Sequence, residues 1–173
     1  MFNIPEVIIT KEMIDEAKAL IEKVRVYRTQ ASQIDTLTGI LGEFIFAQYF
    51  YNNWRKNRVG TNKGEVNFYD VEIKTSAFPY NNKLHLLVRE DYAEKRKPVF
   101  YIQIIISVES SKANNILPGT RAYICGFATS EELDSAPLKD FGSKYGQNGG
   151  YKCHYIPITK LNPMDEFRRR YSG

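Results

Sequence analysis

Residues 69–76 read Tyr69-Asp-Val-Glu-Ile-Lys-Thr-Ser76, and they carry the sharpest local pattern in the 173-residue chain. Charged and apolar residues alternate there. Because successive side chains of a β-strand point to opposite faces, this spacing predicts Asp70, Glu72 and Lys74 on one face, backed by apolar residues on the other. The sequence therefore predicts a strand over residues 66–75 with two carboxylates and an amine in a row.

Two interpretations of this charged face remain open. A solvent-exposed ladder of compensating charges is common in antiparallel sheets. The alternative is a site for a hard cation such as Mg²⁺, which carboxylate oxygens hold at about 2.1 Å together with several waters. In such a site metal-activated water is the nucleophile, and a neighbouring lysine orients or deprotonates it and offsets charge on a phosphate.

A helix predicted over residues 38–51 favours the metal site. This segment is apolar nearly all round, which is typical of a buried helix, yet it contains Glu43. A buried carboxylate is expensive unless it is paired or bound to metal, so Glu43 is a candidate site residue. The alternative is a structural glutamate that caps backbone groups or meets a buried arginine. Gln48 and Gln103 are expected to be satisfied core amides.

The predicted order of elements along the chain is two helices, several strands and then short helices. Thr10 is predicted to cap a helix over residues 11–24, and Thr129 or Ser130 a short one. Hydrophobic periodicity and turn residues define the remaining elements: strands over 83–89, 99–108, 121–127 and 151–158, a loop over 141–150, and a helix over 164–171. Residues 1–173 are therefore expected to form a single mixed α/β domain.

Composition argues against several classes of protein. The chain is 43 % hydrophobic and 25 % charged, which is ordinary for a globular protein. Its longest apolar run, residues 99–108, is far short of the roughly 20 residues that span a bilayer, and no secretory signal is recognised. Cys125 and Cys153 fit neither a disulfide framework nor a metal knuckle. A cytoplasmic protein without membrane association is expected, with both cysteines as packing residues.

The net charge of +4 lies entirely in the middle of the chain. Between residues 55 and 97 ten Lys and Arg accompany six Asp and Glu, whereas the remaining segments carry 14 of each sign. A localised basic surface suits nucleic acid, because phosphate neutralisation supplies most sequence-independent affinity. An ordinary solvated face would also explain so small an excess.

Two short motifs resemble the PD-(D/E)xK nucleases, which include many restriction endonucleases, phage nucleases and Holliday-junction resolvases. They are the pair Gly42-Glu43 in an early helix and Glu72-Ile-Lys74 on a strand that follows an acidic residue. The segments beginning at Lys83 and Ile124 are similar to small phage and plasmid members. The resemblance covers roughly residues 36–165. It implies a restriction-endonuclease-like core, a central mixed β-sheet flanked by α-helices.

The resemblance also implies roles for individual residues. It makes Glu72 a metal ligand, Lys74 the catalytic lysine and Glu43 a direct or outer metal ligand. The implied cofactor is Mg²⁺, with Mn²⁺ as a substitute. The implied partner is nucleic acid, with DNA as the expected substrate, and a homodimer is left open.

The third carboxylate departs from the family pattern. The family usually places an aspartate several residues before Glu-x-Lys, where this chain has Asn67, whereas Asp70 is only two residues ahead. Either Asp70 supplies the carboxylate and is a further metal ligand, or Asn67 is a weakened ligand and activity is reduced. Glu65 is another candidate.

The predicted function is therefore that of a metal-dependent endonuclease that hydrolyses DNA phosphodiester bonds with metal-activated water. Two alternatives are a non-catalytic nucleic-acid-binding module on the same fold and a small protein-interaction domain. The last of these predicts that Glu43 pairs with a cation and that the charged strand face is merely solvated.

Overall fold

The fold was analysed in a computed structural model that describes residues 3–24, 33–59, 68, 70–90, 97–140 and 152–171. Its helices are α1 (Lys11–Val24), α2 (Gln33–Tyr51), α3 (Ser130–Asp134) and α4 (Met164–Arg170). Its strands are β1 (Glu6–Ile8), β2 (Val71–Ala77), β3 (His85–Arg89), β4 (Phe100–Ile106), β5 (Arg121–Thr129), β6 (Leu138–Asp140) and β7 (Lys152–Pro157). Short 3₁₀ turns occur at Trp54–Lys56 and Ile158–Lys160.

The described strands form two sheets. The first has the order β1-β5-β4-β2, in which β2 runs parallel to β4 and the other neighbours are antiparallel. The second is antiparallel, with the order β3-β7-β6. The predicted mixed α/β architecture is confirmed, and the predicted central strand β4 lies between two others.

The first sheet is covered on both faces. Ile102, Ile104 and Ile106 of β4 belong to a core shared with α1, α2 and α4, whereas Tyr101 packs with Leu86 of β3 on the opposite face. All seven residues of β4 are buried. A strand buried on both faces is expected to be apolar without alternation, which explains why β4 reads as a continuous hydrophobic run.

Side-chain caps fix the helix starts that the sequence predicted. The hydroxyl of Thr10 accepts a hydrogen bond of 3.2 Å from the backbone N–H of Met13 at the start of α1. Thr129 and Glu132 form a reciprocal capping box at the start of α3. Both caps satisfy backbone donors that the first helical turn leaves without intrahelical partners.

Several boundaries differ from the prediction. Helix α2 begins at Gln33 rather than at residue 38, and β2 covers Val71–Ala77 rather than 66–75. Strands β1 and β6 were not predicted, because three residues are too few to show a periodicity. Residues 66 and 67 and the predicted loop over 141–150 lie outside the described residues.

The cysteines and Gln103 are buried as predicted, whereas Gln48 is hydrogen-bonded but only half-buried, so the prediction that it is a core amide is wrong. Cys125 and Cys153 are both buried, and burial raises the pKa of the Cys125 thiol to about 12. The amide of Gln103 donates to the carbonyl of Ile104 at 3.0 Å, and Gln48 accepts from the N–H of Trp54 at 3.3 Å. Within the described ranges, no helix has both the length and the apolar character needed to cross a membrane.

Candidate functional site

Helix α2 lies directly on strand β2, and a glycine permits the contact. A Cβ added to Gly42 would lie 1.8 Å from the Thr75 hydroxyl oxygen, far inside van der Waals contact. Only a residue without a side chain therefore fits at this crossing. The helix that bears Glu43 therefore flanks the strand that bears Glu72.

The two faces of β2 have different neighbours. Val71 and Ile73 share a core with α2, and Thr75 meets Gly42 on the same side. Since side chains alternate, Glu72 and Lys74 point to the opposite face, where the second sheet packs. Glu72 is in register with Tyr101 of the parallel strand β4.

The Glu72 face is enclosed rather than solvated. The Glu72 side chain is only 7 % exposed and that of Lys74 is half-buried. Burial, together with the charges of Glu72 and Asp134, raises the pKa of the neighbouring Tyr101 hydroxyl to about 12. The interpretation of this face as a solvent-exposed charge ladder is therefore wrong for Glu72. Tyr101 was missed as a neighbour because cross-strand register is not legible in the sequence.

Glu43 is buried as predicted, at 6 % exposure. It lies on α2, however, and α2 covers the face of the sheet from which Glu72 points away. Strand β2 is the outer strand of the described part of the first sheet, and it lies between the helix that carries Glu43 and the face on which Glu72 lies. One turn earlier in α2, an added Cβ on Gly39 would meet no atom within 4 Å, so the helix is open there.

Asp70 does not lie on the Glu72 face, and the strand prediction is wrong at this position. Its φ is +59°, and it sits in a turn closed by hydrogen bonds of 2.9 and 3.0 Å between the backbones of Phe68 and Val71. Its carbonyl accepts from the N–H groups of Val99 and Phe100, while its side chain is exposed. A left-handed residue breaks the alternation of a strand, so Asp70 and Glu72 do not share a face.

A signal for this turn was present in the sequence. Aspartate and asparagine are the residues other than glycine that most readily adopt positive φ, so an Asp at a strand start is also a turn residue. The metal-ligand role of Asp70 stays a prediction that no contact supports. Asn67 and Glu65, the other candidates, lie outside the described residues.

The donor set fits a hard cation with few protein ligands. No three His, Cys, Asp or Glu side chains lie together among the residues that the structure describes. Mg²⁺ is commonly held by one or two carboxylates, with waters and substrate phosphates completing its octahedron. Glu72 offers an oxygen donor of that kind, whereas Glu43 is carried by the helix that covers the other face of β2.

Both histidines lie away from β2, in the second sheet: His85 on β3 and His154 on β7. His154 Nδ1 is 3.0 Å from the carbonyl oxygen of Ala136, and the His85 ring packs edge-on against Tyr155. Both contacts are structural, in agreement with the weak signal these residues give in the sequence.

Comparison of the chain with protein-family models, with curated proteins and with solved structures found no match. The likeness to PD-(D/E)xK nucleases therefore rests on the residues of the two sequence motifs alone.

Proposed function

We propose that the chain is a metal-dependent endonuclease that acts on DNA at the Glu72 face of β2, on a restriction-endonuclease-like core. The observation that carries the proposal is the burial of Glu72 beside the half-buried Lys74 on one face of an outer strand. Removing a carboxylate from water is unfavourable, and such positions are concentrated at functional sites. The Gly42 crossing supports the proposal, since it brings the helix with a second buried carboxylate onto the same strand.

The residues divide the chemistry between them. Glu72 would hold the cation, with Glu43 as a second ligand, and Mn²⁺ would substitute for Mg²⁺ because both accept carboxylate oxygens. When bound, Mg²⁺ supplies activation of a water and neutralisation of phosphate charge. The Lys74 ammonium orients the attacking water and offsets the negative charge that develops on the phosphate.

One observation favours a second candidate, a nucleic-acid-binding module without catalysis. Asp70 lies in a turn off the Glu72 face, so the third carboxylate of the family pattern is displaced. A site with fewer ligands would bind metal weakly. The protein-interaction domain is less well supported, because it predicts a solvated face where Glu72 is buried.

Metal-dependent cleavage of supercoiled plasmid separates these candidates. We expect nicking or linearisation with Mg²⁺ or Mn²⁺, loss of both in excess chelator, and little cleavage with Ca²⁺, whose longer and looser coordination fits the reaction poorly. The matched control is Glu72→Gln, which keeps the shape of the side chain and removes its charge. Equal cleavage in excess chelator would refute the metal mechanism. Binding of the plasmid without cleavage under any of these metals would favour the binding module.

A further inference from the structure

Three half-buried aromatic residues lie at the C-terminal end of α2 and in the turn after it, and we call this set the aromatic ridge. It consists of Tyr49, Tyr51 and, in the following 3₁₀ turn, Trp54. Tyr49 and Trp54 also line a groove of about 730 Å³ between β1, the start of α1 and the end of α2. This aromatic ridge is on a different part of the molecule from the second sheet that covers Glu72.

Cations lie on the aromatic ridge from two remote parts of the chain. From the turn after α2, the Arg55 guanidinium is 4.3 Å from the Trp54 ring centre, and the Lys56 ammonium is 5.7 Å from that of Tyr51. From α4, the Arg168 guanidinium is 4.2 Å from the Tyr49 ring centre. Contacts of this kind hold cations over the negative face of an aromatic ring.

The Arg168 side chain also fastens α4 to α2. Its Nε donates a hydrogen bond of 3.0 Å to the Tyr49 hydroxyl, and another of its nitrogens donates to the Tyr49 carbonyl. Arg169 and Arg170 follow it and are exposed. Positive charge at the end of α2 is favourable because a helix C-terminus carries partial negative charge, and α2 has no basic residue in its own last turn.

Arg58 joins the same region. Burial raises the pKa of the Tyr171 hydroxyl above its ordinary value, Tyr51 and Asp70 raise it further, and the charge of Arg58 lowers it. Arg58 follows the 3₁₀ turn that carries Arg55 and Lys56 by two residues. We call this set of cations the basic rim: Arg55, Lys56, Arg58, Arg168, Arg169 and Arg170.

The basic rim joins two groups that are separate in the sequence. The turn residues belong to the basic middle of the chain, whereas the α4 residues lie in residues 98–173, which carry nine Lys and Arg against seven Asp and Glu. Two cations of the rim pair with carboxylates. A guanidinium nitrogen of Arg55 is 3.9 Å from a carboxylate oxygen of Glu12, and one of Arg170 is 3.5 Å from a carboxylate oxygen of Glu166. Glu6 and Glu12 line the groove beside the aromatic ridge. The side of the groove formed by β1 and the start of α1 would therefore repel phosphate.

We propose that the basic rim binds the phosphate backbone of duplex DNA, independently of base sequence. Guanidinium groups held over aromatic rings are already oriented, so they lose less side-chain freedom when they contact phosphates. The choice of DNA as the partner rests on the proposed function, while the surface itself follows from the contacts of α2 and α4. A duplex bound at the basic rim would contact a surface separate from the Glu72 face.

The test compares two double variants that each lower the net charge by two. Lys56→Ala/Arg169→Ala removes two exposed members of the rim, and Lys18→Ala/Lys112→Ala removes two exposed cations elsewhere. Binding of a fluorescein-labelled DNA duplex is measured by anisotropy in excess chelator over a series of salt concentrations. We expect the rim variant to lower the salt slope of the binding constant by about 2 and the affinity at 0.1 M salt on the order of 10–100-fold. The control variant should change both much less.

Equal effects of the two double variants, at equal melting temperatures, would overturn the assignment of the rim. Competition by anionic phospholipid vesicles that depends on the rim, with DNA binding unaffected by the rim variant, would overturn it in favour of a membrane surface. Failure of the nuclease proposal is distinguishable: rim-dependent DNA binding without metal-dependent cleavage supports the rim and refutes the nuclease. Cleavage with rim-independent binding refutes only the rim.

Discussion

At the scale of single residues, two glycines of one helix have opposite surroundings. Gly42 lies where α2 crosses β2, and an added Cβ would also come within 2.8 Å of the Thr75 Cβ. Gly39, three residues earlier, has nothing within 4 Å of that position. Any alanine in a helix interior gains about 1 kcal/mol over glycine in intrinsic propensity. The two positions therefore separate the helical preference from the packing at the crossing.

Gly42→Ala should destabilise the fold, whereas Gly39→Ala should stabilise it. At Gly42 the overpacking against Thr75, typically about 1–3 kcal/mol, outweighs the gain in propensity. At Gly39 only the gain of about 0.5–1 kcal/mol remains. Chemical denaturation of the two variants measures both free energies of unfolding. A Gly42→Ala protein at least as stable as Gly39→Ala would show that α2 does not lie on β2 at this point.

Asp70 is a residue whose position the alternating sequence pattern does not predict. The alternation of charged and apolar residues correctly separates Glu72 and Lys74 from Ile73, because they lie inside β2. It fails at Asp70, where one positive φ ends the alternation. An aspartate tolerates positive φ, but whether it adopts that conformation at a strand start depends on tertiary hydrogen bonds, here from Val99 and Phe100 to the Asp70 carbonyl, which the local pattern does not show.

At the scale of elements, α4 is joined to the sheet by an aromatic cluster. The ring of Phe167 is fully buried, with centres of neighbouring rings between 5.0 and 6.0 Å away. These rings come from α2, β4, β5 and the end of α4: Phe46, Phe50, Phe100, Phe127 and Tyr171. One side chain of α4 thus contacts three other elements. The sequence predicted α4 from Pro163 and its helical pattern, but not the element against which it packs.

Phe167→Ala should lower the free energy of unfolding by about 3–5 kcal/mol, because the cavity it leaves is surrounded by rings of several elements. The control is Leu117→Ala, which truncates a side chain that is 62 % exposed and should change stability by about 0.5 kcal/mol or less. Thermal and denaturant unfolding measure both. A loss at Phe167 no greater than that at Leu117 would contradict the packing of α4 described above.

At the scale of the whole molecule, three layers position the candidate site. Helices cover one face of the first sheet and the second sheet covers the other, so a polar residue on either face of β2 is enclosed. The class of fold and its central strand were predictable, because helical and strand periodicities are local. The second sheet was not, since pairing of β3 with β7 joins segments more than 60 residues apart in the sequence. That pairing is what makes the Glu72 face an interior one.

Lys74→Ala is the decisive test of whether the enclosed Glu72 face is catalytic. Lys74 would act mainly as the water and phosphate approach the transition state, so its loss should reduce turnover more than DNA affinity. Turnover on supercoiled plasmid in Mg²⁺ is measured beside the melting temperature, with Lys83→Ala, at an exposed lysine, as the control. We expect turnover to fall about 10²–10⁴-fold in folded Lys74→Ala and to be unchanged in the control. Undiminished cleavage by folded Lys74→Ala would show that the Glu72 face is not the catalytic site.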